Sequence, residues 1–270
     1  MDSLTITLIQ ADLKWEDKKA NLQMLKTKIE NIREYTQLVI LPEMFSTGFS
    51  MHTEKMGESM EGDSVNWMKQ VASERKVILM GSLIIEDDHK FYNRLILMYP
   101  NQKYAFYDKR HLFGFAQEDK HYTPGNKRLI VSINGWKINL QVCYDLRFPV
   151  WVRQSTDLVH NNQESAQCEY DLIIYVANWP ERRNTAWKTL LRARAIENQC
   201  FVVGVNRVGL DGNNIYYSGD STIIDPLGEI IYQRADVEEV YTHKLVKEQL
   251  IEIRAKFPFW KDADPFKISC

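Results

Sequence analysis

Cysteine is scarce in this chain: four residues of 270, at Cys143, Cys168, Cys200 and Cys270. No two form a Cys-x-x-Cys pair, and none joins histidines at zinc-ligand spacing. This argues against a disulfide-stapled scaffold and against a metal module, and the scattered thiols point to a reducing cytoplasm. Long apolar runs are also missing; none approaches the ~20 residues that cross a bilayer, so no membrane partner is expected. The opening MDSLTITLIQADLKWED has no basic stretch followed by an apolar core. It reads as a first strand and not as a secretory leader. Charge of one sign is absent as well: 34 basic side chains face 36 acidic ones, a net of −2 with the signs interspersed. There is no basic stripe for nucleic acid and no acidic arm. Internal repeats and low-complexity tracts are absent too.

What is present is a globular composition, 44% hydrophobic and 26% charged, with enough apolar residues for a large core. Short Val- and Ile-rich runs predict strands over Leu4–Ile9, Leu38–Leu41, Val77–Ile85, Arg94–Met98, Lys137–Cys143, Leu172–Ala177, Phe201–Asn206 and Ser221–Asp225. Several are apolar on both faces, as in sheets covered on both sides. Between them lie helical patterns. After Asp17, Leu22, Leu25, Ile29 and Ile32 form one stripe; Ser64–Ser73 is a shorter candidate. Asn184–Asn198 puts Trp187, Leu190, Leu191 and Ala195 on one face, with Asn184 or Thr185 available as N-cap. Asn134-Gly135 between two apolar runs is a hairpin signal. The expected fold class is α/β, as a sandwich in a single domain over residues 1–270. Two segments stand apart. Ser155–Tyr170 is polar and reads as an extended surface loop; the aromatic-rich tail from about residue 254 reads as a docking segment.

Three positions carry candidate chemistry. Cys143 follows the apolar run Ile138–Val142 and precedes Tyr144-Asp145-Leu146-Arg147-Phe148-Pro149. A cysteine on a tight turn at a strand tip can expose its sulfur, with the next backbone N–H (that of Tyr144) aimed at the reacting group; free cysteines are more often plain core residues. Glu43 ends the strand Leu38–Leu41 after Pro42. Burial there raises a carboxyl pKa, which suits a general base; a simple ion pair is the alternative. Lys109, in Asp108-Lys109-Arg110-His111-Leu112, can stabilise an oxyanion, or else be a solvated turn residue. His111 raises the question of a Cys/His dyad, but such a dyad leaves Glu43 and Lys109 unexplained.

Taken together, Leu-Pro-Glu at 41–43, Asp-Lys-Arg-His-Leu at 108–112 and Cys-Tyr-Asp-Leu-Arg-Phe-Pro at 143–149 resemble the three signatures of the nitrilase superfamily of carbon–nitrogen hydrolases, in the family's order. The resemblance covers Leu4 to about Leu245. Within the superfamily the chain is most similar to the omega-amidase branch, through Pro42–Phe49, Val176–Pro180, Arg192–Gln199, Asn206–Gly209 and Gly219–Ser221. It implies a four-layer α-β-β-α sandwich, a homodimer, and a fourth catalytic residue at Glu118, with the adjacent Asp119 as the competing assignment. It implies no metal and no organic cofactor. The implied activity is hydrolysis of the terminal amide of 2-oxoglutaramate or 2-oxosuccinamate through a Cys143 thioester. Other branches, acting on deaminated glutathione, N-carbamoyl groups or nitriles, are the alternatives, as is a non-catalytic binding protein on the same fold. For the substrate, Arg183 is the expected partner of the distal carboxylate, ahead of Arg182. Phe45, Phe115 and Trp179 are the expected aromatic walls.

Overall fold

The computed structural model describes residues 3–154, 168–264 and 266–268. Most of the stretch read as a loop, residues 155–167, lies outside the described residues.

Two sheets form the centre. The first is ordered β13 (Glu239–Val246), β1 (Ser3–Gln10), β2 (Leu38–Ile40), β3 (Ile78–Asp87), β4 (Lys90–Met98) and β5 (Tyr104–Asp108). The second runs β10 (Val208–Leu210), β11 (Tyr216–Ile224), β9 (Phe201–Asn206), β8 (Leu172–Ala177), β7 (Trp136–Val142) and β6 (Ile130–Ile133), with β12 (Ile230–Ala235) on β11. In each sheet the three central strands are parallel: β1, β2 and β3 in one, β7, β8 and β9 in the other.

The period of two in the sequence builds the layers. Leu38, Ile40, Met80, Leu95 and Leu97 point inward and share one core with Ile138, Leu140 and Val142 of the opposite sheet. Their neighbours Val39, Leu41, Leu79, Ile96 and Met98 point outward and meet Leu25, Ile29, Val65, Met68 and Val71. Those last five belong to the helices Lys18–Glu30 and Asp63–Arg75, which cover the first sheet. On the second sheet, Trp187, Leu191 and Ala195 of helix Asn184–Asn198 join the core. The result is the four-layer α-β-β-α sandwich that the motifs imply.

Local chemistry sets the boundaries. Asp17 caps the first helix, its Oδ1 accepting from Ala20 N at 3.0 Å. Asn134 and Gly135 take left-handed φ values of 46° and 80° between β6 and β7, the two-residue hairpin turn that Asn-Gly favours. The expected cap of helix Asn184–Asn198 is corrected: the cap position is Arg183, with no side-chain bond. The Asn184 amide instead donates to Ser218 and Asp220 of β11, at 3.2 and 2.5 Å. After Arg254, Trp260 N donates to Gln199 Oε1 at 2.9 Å, and the Gln199 amide donates to Phe257 O. Among the described residues, no helix is long and apolar enough to cross a membrane.

Candidate active site

Glu43, Lys109 and Cys143 each stand just past the C-terminal end of a strand, while Glu118 opens the short helix Glu118–His121. Lys109 and Cys143 follow β5 and β7 directly, as Asn178 follows β8, and Glu43 lies three residues beyond β2. Ligand sites in α/β sheets form at such carboxyl ends, where the backbone leaves the ladder and side chains converge.

Glu43, Lys109 and Glu118 are all fully buried. Lys109 Nζ donates to Glu43 Oε1 at 3.0 Å and to Glu118 Oε1 and Oε2 at 3.0 and 2.9 Å. Burial alone would lower the lysine pKa, but the two carboxylates outweigh it and hold the ammonium charged. Glu118 is pushed above the usual carboxyl range, chiefly by burial and further by the charge of Glu43, against the pull of Lys109. Glu118 bonds the lysine, whereas Asp119 is half-exposed and pairs with Lys120 at 3.5 Å.

Cys143 opens a tight helical turn, Cys143–Arg147, with a left-handed φ of 45°. A non-glycine residue in that region costs about 1–3 kcal/mol and persists only where its surroundings enforce it. Here they do. Asp145 Oδ2 accepts from Val142 N at 3.2 Å and from Tyr107 Oη at 2.8 Å, while Oδ1 accepts from His111 N at 2.9 Å. The Sγ of Cys143 lies 3.9 Å from Asn178 O. Burial, then the charge of Glu43, raises the thiol pKa well above its ordinary value despite Lys109. The resting sulfur is therefore a protonated thiol that needs a base to become a nucleophile. His111 does not serve as that base: its ring stacks on Phe148 at 3.8 Å and its Nδ1 lies 2.8 Å from Asp145 Oδ1.

Cys143 and Lys109 open into a cavity of about 380 Å³. Tyr144, Phe115, Trp179 and Arg183 line it as the sequence implies. Phe45 does not, and its assignment as a wall is corrected. It is fully buried in the outer core, against the Trp67 ring at 5.7 Å and over Gly81. A Cβ on Gly81 would come within 2.6 Å of the Phe45 ring, so the bare glycine is what admits the phenyl group there. Phe49 takes the wall position, with Lys109 Nζ 5.3 Å from its ring centre.

Sequence reasoning assigned no role to several residues of the site. The Asn178 backbone N–H donates to Glu43 Oε2 at 2.8 Å, and its amide donates to Glu43 O at 2.6 Å. Asn93 bonds both carboxylates, and Trp15 and Tyr217 line the cavity. Of these, only Asn178 carried a signal, by following the strand run Leu172–Ala177. Among the described residues no cluster of His, Cys, Asp or Glu is placed to hold a metal ion.

Comparison with known proteins agrees with this geometry. Residues 5–255 match the family model described as carbon–nitrogen hydrolase. The chain is 44% identical to omega-amidase YafV of Escherichia coli K12, over 99% of this chain and 100% of that one. It is 28% identical to the 2-oxoglutaramate amidase of Bacillus subtilis, over 96% of each chain. The crystal structure of XC1258 from Xanthomonas campestris, a CN-hydrolase superfamily protein with an arsenic adduct in its active site, superposes with a TM-score of 0.95 at 43% identity, covering 100% of both chains. With its buried Glu–Lys–Cys site at the strand ends and a family match across nearly its whole length, this chain belongs to the carbon–nitrogen hydrolase family.

Proposed function

We propose that this protein is an omega-amidase. It hydrolyses the terminal amide of a short 2-oxo dicarboxylic acid monoamide, 2-oxoglutaramate or 2-oxosuccinamate, to the acid and ammonia. The observation that carries this reading is the cavity rim. Arg147, Arg182 and Arg183 all line the cavity, and among the described residues none of them forms an ion pair. Arg147 and Arg183 rest on aromatic faces instead, 5.1 Å from Trp179 and 4.9 Å from Phe113. Burial and then the neighbouring charge of Arg182 lower the Arg183 pKa, with Arg147 adding to the effect. Such a cluster is relieved by an anion, and a guanidinium grips a carboxylate through two parallel hydrogen bonds. Cys143 and the three arginines line the same cavity, so a substrate with an amide at one end and a carboxylate at the other can meet both. The names of the relatives that share this chain's length support the same substrate class.

The reaction follows from the site. Glu43 takes the thiol proton of Cys143 as sulfur bonds to the amide carbon. The carbonyl electron pair moves to oxygen, and the resulting oxyanion is stabilised by Lys109 and the Tyr144 backbone N–H. One such donor contributes about 2.7–4 kcal/mol. The oxyanion collapses, the C–N bond breaks, and the proton on Glu43 leaves with nitrogen as ammonia. Water then gives a proton to Glu43 and its hydroxyl to the thioester carbon. The second collapse expels the sulfur, which takes the proton back. Glu118 anchors Lys109 throughout.

The same reading makes the active form a homodimer in the cytoplasm. The unpaired Cys143, Cys168 and Cys200 fit a reducing compartment, and light scattering and cell fractionation test both statements. The activity is tested by ammonia release from a panel of 2-oxo amides, uncharged short amides, nitriles and N-carbamoyl amino acids. Preference for the 2-oxo amides is expected; preference for nitriles or N-carbamoyl substrates overturns the reading.

A further inference from the structure

Two buried carboxylates share one lysine in this site, and the side chain that completes their pairing is Asn93 on β4. Its amide nitrogen donates to Glu43 Oε1 at 2.7 Å and to Glu118 Oε1 at 3.2 Å. With Lys109 this closes a ring: Glu43 Oε1, Lys109 Nζ, Glu118 Oε1, Asn93 Nδ2. Asn93 is buried, and its backbone carbonyl accepts from Lys109 N at 3.0 Å. The orientation of its amide is fixed, since the opposite flip would turn its oxygen against two carboxylates.

The four carboxylate oxygens are not equally served. Glu118 Oε1 accepts from Lys109 and Asn93, and Glu118 Oε2 from Lys109 and from Phe113 N at 2.6 Å. Glu43 Oε1 accepts from Lys109 and Asn93. Beside the Cys143 thiol, with which Glu43 shares a side-chain hydrogen bond, Glu43 Oε2 accepts a single N–H, that of Asn178. It is the one oxygen of the four with capacity left for a proton.

We infer that Asn93 is a positioning residue that divides the labour of the two carboxylates, keeping Glu118 saturated beside Lys109 and leaving Glu43 Oε2 as the site that receives the Cys143 proton. Both N–H bonds of Asn93 serve this end, and neither brings a competing charge. Its own Oδ1 has no partner among the described residues, so the side chain's hydrogen bonding is confined to the two carboxylates. Without the amide, Glu43 Oε1 and Glu118 Oε1 each fall to one donor. The proton can then settle on Glu118, away from the sulfur, and both carboxylates hold protons more firmly.

This inference rests on the hydrolase reading, but it is tested without an amide substrate, by the rate of Cys143 alkylation with iodoacetamide as a function of pH. Failure of the substrate reading would show in the ammonia panel and leave alkylation untouched. In Asn93→Leu, close in volume and lacking both donors, the alkylation rate at neutral pH should fall at least ~10-fold. The acid limb of the profile should also move up by about one pH unit. In ammonia release, kcat should fall with KM changed less than about threefold. Asn93→Asp, which adds a third carboxylate, should move the limb further. If Asn93→Leu does not fold by circular dichroism, Asn93→Ser keeps one donor and should give an intermediate shift. A folded Asn93→Leu or Asn93→Ser whose alkylation profile overlays the wild type, with only its melting temperature lowered, would overturn the proposal.

Discussion

The hydroxyl of Tyr107 donates to Asp145 Oδ2 at 2.8 Å, and this buried contact ties the strand that delivers Lys109 to the turn that delivers Cys143. Tyr107 lies two residues before the lysine and Asp145 two residues after the cysteine, so the bond links the segments that carry the two groups. The hydroxyl also accepts from Trp151 Nε1 at 3.0 Å and Arg110 N at 3.2 Å. Burial first, and then the charge of Asp145, holds the Tyr107 pKa well above its ordinary value, so the phenol keeps its proton for this bond.

Asp145→Ala should therefore damage both the fold and the chemistry. It strips partners from the buried donors Tyr107 Oη and Val142 N, each costing about 1–3 kcal/mol when left unmet, and from the partly buried His111 N. Urea unfolding should show a loss of more than ~3 kcal/mol. At temperatures where the variant stays folded, Cys143 alkylation should be slow, because nothing then enforces the left-handed φ of Cys143. A variant with wild-type stability would show that the turn is held by other contacts.

Cys143→Ala should abolish ammonia release while the protein stays folded. In the wild type, mass spectrometry with a slow amide substrate should find the acyl group on the Cys143 peptide. Cys200 is fully buried, and neither it nor Cys168 lines the cavity. An adduct on either would remove Cys143 as nucleophile.

These contacts show what was legible in the sequence. The alternation of Leu38 to Leu41 and the runs of Val and Ile gave eight strands of the sandwich, because burial on one face or both leaves a pattern in adjacent residues. Ile130–Ile133 was read only as the apolar run before the Asn134-Gly135 hairpin, and the strands Tyr104–Asp108, Val208–Leu210, Ile230–Ala235 and Glu239–Val246 were not read. All but β13 are short, and β12 and β13 carry polar, half-exposed residues because they lie toward sheet margins. Glu43 and Cys143 were readable because each follows a predicted strand and sits in a motif; Lys109 follows a strand that was not read, and its motif alone marked it. Asn93 and Tyr217 were not, since each lies inside a strand and turns to the site only through pairing with distant residues. Phe45 was misassigned because nearness to Glu43 in sequence says nothing of which side of the sheet a ring enters. The space over Gly81 decided that.

Lys109→Ala should reduce kcat by at least ~10²-fold, the loss expected for an oxyanion donor. It should also destabilise the fold, because Glu43 and Glu118 would remain buried without a counter-charge, a change that typically costs about 3–5 kcal/mol. Arg110→Ala is the control. Arg110 donates to Gly125 O at 3.0 Å and lies 5.4 Å from the Trp151 ring, outside the carboxylate ring. Its activity loss should stay under about threefold. A Lys109→Ala enzyme within threefold of wild type would refute the oxyanion role.

Arg183→Ala should raise KM for 2-oxosuccinamate by ~10-fold or more, in line with a lost charge-assisted contact of about 1.5–3 kcal/mol. KM for an uncharged short amide should change little. Added salt should raise KM for the charged substrate and spare the uncharged one, since exposed rim charges are screened over roughly 8–10 Å. Equal losses on both substrates would make Arg183 a structural residue, held between the Phe113 ring and Trp179 Nε1, which donates to its carbonyl at 2.9 Å.

Glu118→Gln separates the energetic burden of the second carboxylate from its use. Glu118 is buried with its folded pKa above the free carboxyl value, chiefly through desolvation and with Glu43 adding to it. A group shifted in that direction contributes its stability in full below the free value of about 4.3 and loses it as pH rises through the folded pKa. Glutamine has no such dependence. The substituted amide also offers one acceptor oxygen where Glu118 accepts from Lys109, Asn93 and Phe113 N, so the variant starts with a constant disadvantage. The expected signature is therefore a slope and not an offset: the stability of the variant, relative to wild type, should increase as pH rises above the free carboxyl value of about 4.3. Activity should fall across the range, because Lys109 loses its second anchor and drifts toward Glu43. Urea titrations at several pH values measure the slope, and ammonia release measures the activity. A relative stability that instead worsens with rising pH would mean that the pull of Lys109 exceeds the desolvation of Glu118, which would make the buried carboxylate a net support of the fold at neutral pH.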